Sequence, residues 1–263
     1  MTADPFTILT TLDPDNLRVD TNKGRTYLRE GRTYPSVTRI IDNLPKPALF
    51  NWGKKLTAEF ALNNLDNITT RLQTGTPFNE VRKWVSDEPS RQRDTAGALG
   101  SDLHAWASQH ELTGTDEPPD DEPLLSLTRQ YLELRAAHPE WRLWASEAVV
   151  LNEAYPYGGT MDGIVRLGDG SLAVFDIKTG RGVWPEAALQ LWAYANADYL
   201  ALASGESVPM PSVLSGLVFH VRPDAWKIHR VDLVEHGAEL EALWQGLYRV
   251  DRNKGLDVLE VVT

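Results

Sequence analysis

The apolar residues of this chain recur first at helical spacing and then at strand spacing. Leu124 to His138 carries a helical stripe that stops at Pro139. RQRDTAGALGSDLHAWASQHEL, residues 91–112, reads as one continuous helix, with Ala96, Gly97, Ala98 and Gly100 small enough for another backbone to approach. Upstream, Ser36 or Thr38 caps a short helix that Pro45 and Pro47 break, and helical periodicity resumes from Leu49 through Leu65. Arg71 to Glu88 reads as a further amphipathic helix, its stripe of Phe78, Val81, Trp84 and Val85 packing on the core.

Beyond Pro139 the period shortens to two. Trp141 to Leu151 alternates as a strand carrying Glu147, and a second apolar strand ends at Asp162. Gly168-Asp169-Gly170 supplies a tight hairpin turn into a strand over Leu172 to Lys178. A helix bearing Gln190 and Tyr194 follows. Strands over Val213–Val221 and Trp226–Leu233 are joined at Arg222-Pro223-Asp224, and a helix over roughly Glu235 to Arg252 closes the series. Met1 to Thr33 is polar, with a turn at Asp13–Asp15 and a short hairpin around Asn22–Gly24, and reads as a peripheral appendage; acidic, Pro-rich Gly114 to Pro123 reads as a surface loop. The order predicts an α/β fold, a mixed central sheet flanked by helices with an N-terminal helical part. The expected division is 1–140, a hairpin and helical region, and 141–263, the α/β core, within one compact unit.

Composition narrows the chemistry. The 263 residues are 42% hydrophobic and 24% charged, enough for a proper core. No apolar run is long enough to cross a bilayer, and the first residues lack the basic start and apolar middle of a signal peptide, so the expectation is a cytoplasmic protein without a membrane partner. Cysteine is absent, which excludes disulfides, thiolate-bound zinc and iron-sulfur clusters and leaves oxygen and imidazole as metal ligands. A formal net charge of -11 argues against nonspecific coating of nucleic acid but not against a nucleic-acid enzyme with a local basic rim. Of the nine tryptophans most are expected in the core, with one or two free to stack on bases.

Asp162 and Asp176, ending neighbouring strands, face each other as hard oxygen ligands suited to Mg²⁺ or Mn²⁺. Two carboxylates that close resist joint ionisation unless a cation lies between them. Lys178, two residues past Asp176, shares its face of the strand, and Gln190 and Tyr194 share one face of their helix. Such a set suits metal-assisted phosphodiester hydrolysis. These three charged residues are equally read as a buried salt bridge on a structural sheet. His104, by itself, is more often a packed or surface histidine than a ligand.

GGTMDGIVRLGDGSLAVFDIKTGR resembles the active-site hairpin of the PD-(D/E)xK nuclease superfamily, in its RecB-like and phage exonuclease branch. Asp162 matches the first acidic position, Asp176-Ile177-Lys178 the DxK motif, Gln190 and Tyr194 the QxxxY helix, and Gly100 to His104 the GxxxH helix. Ser36 to Ile40 resembles the SVTxI segment, and Lys46, Leu49 and Trp52 the KxxLxxW segment, of similar proteins frequent in bacteriophage genomes. Met161 stands where the motif is named for proline, and the missing cysteine quartet matches cluster-free members. The resemblance implies a restriction-endonuclease-like core and a Mg²⁺- or Mn²⁺-dependent exonuclease acting on single-stranded DNA or duplex ends in recombination or repair, with recombination proteins as further partners. It implies His104, Asp162, Asp176 and the Ile177 carbonyl as metal ligands, Glu147 as an auxiliary ligand, Lys178 serving the attacking water, and Gln190 and Tyr194 bracing the scissile strand. Thr179 and Arg181 would lie near phosphates. Arg39, Lys54, Lys55, Arg91 and Arg93 complete the candidate DNA contacts, though each lysine taken singly reads more readily as solvated helix surface. The competing function is a non-catalytic module that keeps the fold and binds DNA ends or a partner.

Overall fold

A computed structural model describes residues 9–10, 17–21, 24–114, 117–202 and 206–252. The expected turn at Asp13–Asp15, most of the Asn22–Gly24 turn and part of the 114–123 loop lie outside these. Contacts divide the chain into two compact units, residues 1–44 with 102–263, and residues 45–101.

The larger unit is built on a mixed sheet. Its strands are β1 (Leu9–Thr10), β5 (Arg142–Asn152), β6 (Tyr157–Arg166), β7 (Leu172–Lys178), β8 (Tyr199–Ala201), β9 (Ser207–Pro209), β10 (Ser215–Arg222) and β11 (Ala225–Asp232). They run in the order β11-β10-β7-β6-β5-β8-β9, with β1 beside β5. The β7–β10 and β1–β5 pairs are parallel and the others antiparallel. Strand β10, SGLVFHVR, is buried along nearly all its length, as a strand covered on both faces must be, whereas edge strand β11 alternates polar residues outward. The mixed α/β architecture with a flanked sheet is therefore as expected.

Successive strand residues face opposite sides. Val174 and Val218 join a core with Leu189, Leu191 and Trp244, contributed by α7 (Glu186–Ala195) and α8 (Gly237–Arg252). On the alternate positions Phe175 and Phe219 stack with centroids 4.8 Å apart, and Trp141 stacks beyond Phe219. Helix α1 (Val37–Ile41) packs against α7 and α8, and α6 (Glu122–Ala137) against β10 and β11. Of the two candidate caps Ser36 is the one that caps α1, accepting from Arg39 N.

Two expectations for this unit are corrected. Residues 18–35 are not peripheral: β2 (Arg18–Thr21), β3 (Gly24–Arg29) and β4 (Arg32–Pro35) form a three-stranded sheet that buries Tyr27 and Tyr34, and Tyr27 Oη lies 2.9 Å from Thr160 Oγ1 on β6. A polar composition hid two inward-facing tyrosines. Strand β6 continues four residues past Asp162 before the hairpin, whose Gly170 takes a left-handed φ of 86°. Short strands β1, β8 and β9 carry too few residues to show a period.

The second unit, described alone, holds α2 (Pro47–Asn63), α3 (Leu65–Gln73) and α4 (Phe78–Ser86), with the first half of α5 (Glu88–Thr113). The single helix expected over residues 71–88 is broken at Gly75, with φ 89°, and Pro77, so α3 and α4 are separate. Val81 is buried, but Phe78 is 71% exposed rather than part of a packed stripe. Helix α5 is continuous, as expected.

Candidate functional site

Hairpin register creates the site. The β6–β7 ladder pairs Arg166 with Leu172 through to Gly163 with Phe175, and the next positions are Asp162 and Asp176, where pairing ceases. The freed Ile177 N–H donates to Asp162 Oδ2 at 2.5 Å. Asp162 Oδ1 meets His104 Nδ1 at 2.9 Å. The histidine is presented by α5, which buries Leu103 and Ala107 on the same side of the helix.

Strand β5 brings the third group. Ser146 pairs with Gly163 and Ala148 with Met161, leaving Glu147 opposite Asp162 in the register but unpaired with it. Glu147 has φ 47°, a left-handed conformation that costs a non-glycine residue roughly 1–3 kcal/mol and often marks function. One ligand atom from each of His104, Glu147 and Asp162 lies within 4.8 Å of the others.

Asp176 stands outside that group and heads a second one. Its Oδ2 lies 2.7 Å from Lys178 Nζ, and its Oδ1 accepts from Gln190 Nε2 at 2.9 Å. The same amide donates to Tyr194 Oη at 3.0 Å, while Gln190 Oε1 accepts from Lys178 at 3.2 Å. Helical spacing on α7 thus puts Gln190 and Tyr194 on one face, and two-residue spacing on β7 puts Asp176 and Lys178 together. The two predicted aspartates are turned to different partners, Asp162 to the imidazole and Asp176 to the lysine.

Burial opposes charge on His104, yet Asp162, then Asp176 and Glu147, outweigh it and raise the ring to about 9. Burial, reinforced by Asp162, raises Glu147 to about 7. Asp162 is itself buried, but His104 and the Ile177 N–H hold it below its ordinary value. Asp176 moves the other way because burial outweighs the attraction of Lys178. Lys178 is desolvated, yet Asp176 and Asp162 raise it, so it is a firm cation. Two positive charges, His104 and Lys178, are thus set against the carboxylates of the site.

The donor set fits a hard divalent ion: one imidazole and two carboxylates in the first group, with a third carboxylate next to them. Asp176 Oδ2 is buried and lies 2.7 Å from Lys178 Nζ, so this carboxylate is matched by the ammonium. His104, Glu147 and Asp162 could therefore hold a metal ion. Glu147, read from the sequence as auxiliary, belongs to the central group, and Ile177 enters it through its N–H.

Strand β10 contributes two residues the sequence did not single out. His220, in register with Lys178, has Nε2 2.8 Å from Gly180 O, and Arg222 donates to Thr179 O. They pin the loop after Lys178 from behind, a role no local motif announces. Arg181 on this loop is exposed. Gly159 on β6 leaves room for Tyr194, which a Cβ there would meet at 2.5 Å.

The remaining candidate DNA contacts are engaged locally. Arg39 holds buried Asp251 through two contacts of 3.1 and 3.0 Å. In the 45–101 unit, Lys54 lies over the Phe50 ring, Lys55 is 3.6 Å from Glu59, Arg91 bonds Glu88 and Trp84 O, and Arg93 is 3.5 Å from Asp94.

Compared with known proteins, the chain matches no family model and no curated protein. Among the described residues no helix is long and apolar enough to cross a membrane.

Proposed function

We propose that the protein is a Mg²⁺- or Mn²⁺-dependent deoxyribonuclease with a restriction-endonuclease-like core, a RecB-like exonuclease that hydrolyses DNA ends in phage or bacterial recombination and repair. One observation carries the reading: an imidazole and two carboxylates converge from α5, β5 and β6 beside an Asp176–Lys178–Gln190–Tyr194 network. A structural salt bridge needs only Lys178 and one aspartate.

His104, Glu147 and Asp162 would hold the ion, with Asp176 alongside. When bound, a divalent ion there supplies Lewis-acid polarisation of a phosphoryl oxygen and lowers the pKa of a bound water. Lys178, kept charged by Asp176 and Asp162, offers an ammonium to the nucleophilic water or to the charge developing on the phosphoryl oxygens. Gln190 fixes Lys178 and Asp176 relative to each other through its two amide ends, and Tyr194 fixes Gln190. The Ile177 N–H keeps Asp162 ionised and oriented.

End-labelled linear DNA incubated with the protein and Mg²⁺ or Mn²⁺ should be degraded, and Asp176→Ala or Lys178→Ala should lower the rate by at least 100-fold, the order of loss for groups acting on transition-state charge, about 10²–10³. Undiminished activity in both variants removes the assignment.

A second reading, a non-catalytic DNA-end or partner-binding module, is favoured by the occupation of Asp176 by Lys178 and Gln190. It predicts DNA binding without turnover in either metal.

A further inference from the structure

The loop between Lys178 and α7 ends in an exposed aromatic ring. Of the nine tryptophans in the chain, Trp184 is the one in the exposed class, at 54%; the other eight are buried or half-buried. Exposing a large rigid indole is costly in water, and tryptophan is the side chain with most to gain from a flat partner. Gly182 lies beside the indole: a Cβ built there would come 3.9 Å from Trp184 Cζ2, an ordinary van der Waals contact.

The loop is held at both ends. At its start Thr179 O and Gly180 O are pinned by Arg222 and His220. At its end Trp184 O accepts from Ala187 N in the first turn of α7. Lys178 and Gln190, which flank the loop, are hydrogen-bonded to each other at 3.2 Å, so the segment closes on the site itself. Two residue steps and one turn of α7 separate Trp184 from Gln190, a reach of about 13 Å at most between their Cα atoms. Arg181, exposed on the same loop, supplies a positive charge between the ring and Lys178 along the chain.

We infer that residues 179–185 form a platform for single-stranded DNA, in which Trp184 stacks on an unpaired base next to the scissile position and Arg181 takes a backbone phosphate. The inference rests on the nuclease reading for its scissile position and deepens it to a substrate class, a strand with unpaired bases. Stacking is sequence-tolerant, because every base has a π face, and is closed to paired bases already stacked within a duplex. Platform and cleavage site therefore select a single strand or a frayed end together.

The test separates binding from cleavage. Fluorescence anisotropy of a labelled mixed-sequence single strand, and of the same sequence as a blunt duplex, is followed across salt with Ca²⁺ replacing Mg²⁺. Trp184→Ala should weaken single-strand binding roughly 5- to 150-fold, the range for loss of one stacked base. Duplex binding and the salt slope should be unchanged. Trp184→Phe should recover most of the single-strand affinity. Arg181→Ala should instead lower the slope of log affinity against log salt by about 0.7. Thermal midpoints of all three variants should match the parent, since both side chains are exposed. Single-strand binding that ignores Trp184, or a loss equal on duplex, overturns the platform, as does a parent protein that binds no single strand. Cleavage in Mg²⁺ is then scored separately. Trp184-dependent binding without any cleavage removes the nuclease reading and keeps the platform, whereas cleavage with a KM indifferent to Trp184 does the reverse.

Discussion

Gly159 and Tyr194 share one space: a Cβ on Gly159 would stand 2.5 Å from Tyr194 Cε1 and 3.2 Å from Val37 Cγ2. Tyr194 is buried and its hydroxyl holds Gln190, so the absence of a side chain on β6 sets the position of a group on α7. Gly159→Ala should therefore overpack the core at about 1–3 kcal/mol. Cleavage should fall further than Tm does, because the displaced ring releases Gln190. Gly246→Ala, in α8 with nothing within 4 Å of its added Cβ, is the control and should gain about 0.5–1 kcal/mol. Thermal melts and single-turnover rates of the pair check both directions.

Metal binding should displace protons. His104 is held protonated by Asp162 and must lose its proton to become a ligand. Calorimetric titration with Mn²⁺ near pH 7 should give a binding enthalpy that changes with the ionisation enthalpy of the buffer. Asp162→Asn should abolish the heat, and Glu147→Gln should weaken binding 10-fold or more, since it is a member of the central group. A Glu147→Gln titration indistinguishable from the parent would return Glu147 to an auxiliary place.

Without metal, stability should decline as pH rises above neutrality. His104 has a folded value of about 9 against an ordinary 6.5, so its contribution is complete below about 6.5 and is lost as pH rises through 9. Glu147, raised to about 7 from 4.5, adds a loss between those values as its carboxyl ionises beside Asp162. Asp162 has the opposite sign: lowered in the fold, it stabilises above its ordinary 3.8 and loses that contribution at more acid pH. Melts in chelator from pH 5 to 10 should show Tm falling on the alkaline side, with the part above pH 7 flattened in His104→Gln.

Arg39 and Asp251 predict a stability defect without a site defect. Asp251 is 3% exposed and its charge is met by the Arg39 guanidinium. Asp251→Ala should cost roughly 3–5 kcal/mol, the range for stranding one partner of a buried pair. Replacing Arg39 and Asp251 together by Met and Leu should recover most of it. Mn²⁺ affinity per folded molecule should not move in either case.

The strands and helices with long, clean periods were legible: β5, β7, β10, β11, α6 and α7 lie where alternation or helical spacing put them. Pairing within one element was legible too, since Asp176 with Lys178 and Gln190 with Tyr194 follow from spacing alone. Relationships between elements were not. That Glu147 falls opposite Asp162 depends on the β5–β6 register, and that His220 reaches Gly180 depends on a parallel partner 40 residues away. The tyrosines of β3 and β4 were obscured by polar neighbours, and the break at Gly75 and Pro77 was overridden by an apolar stripe that looked continuous. His104 was readable only in combination with the aspartates.

Strand β7 lies in mid-sheet, paired to β6 on one edge and to β10 on the other. Asp176 and Lys178 therefore sit on a strand paired on both edges, with Asp162 on its neighbour β6, and the amides of Val174 and Phe175 should be among the last to exchange with solvent. The carboxylates are consequently in place before any ligand arrives, and ordering them is a cost of folding the sheet rather than of binding.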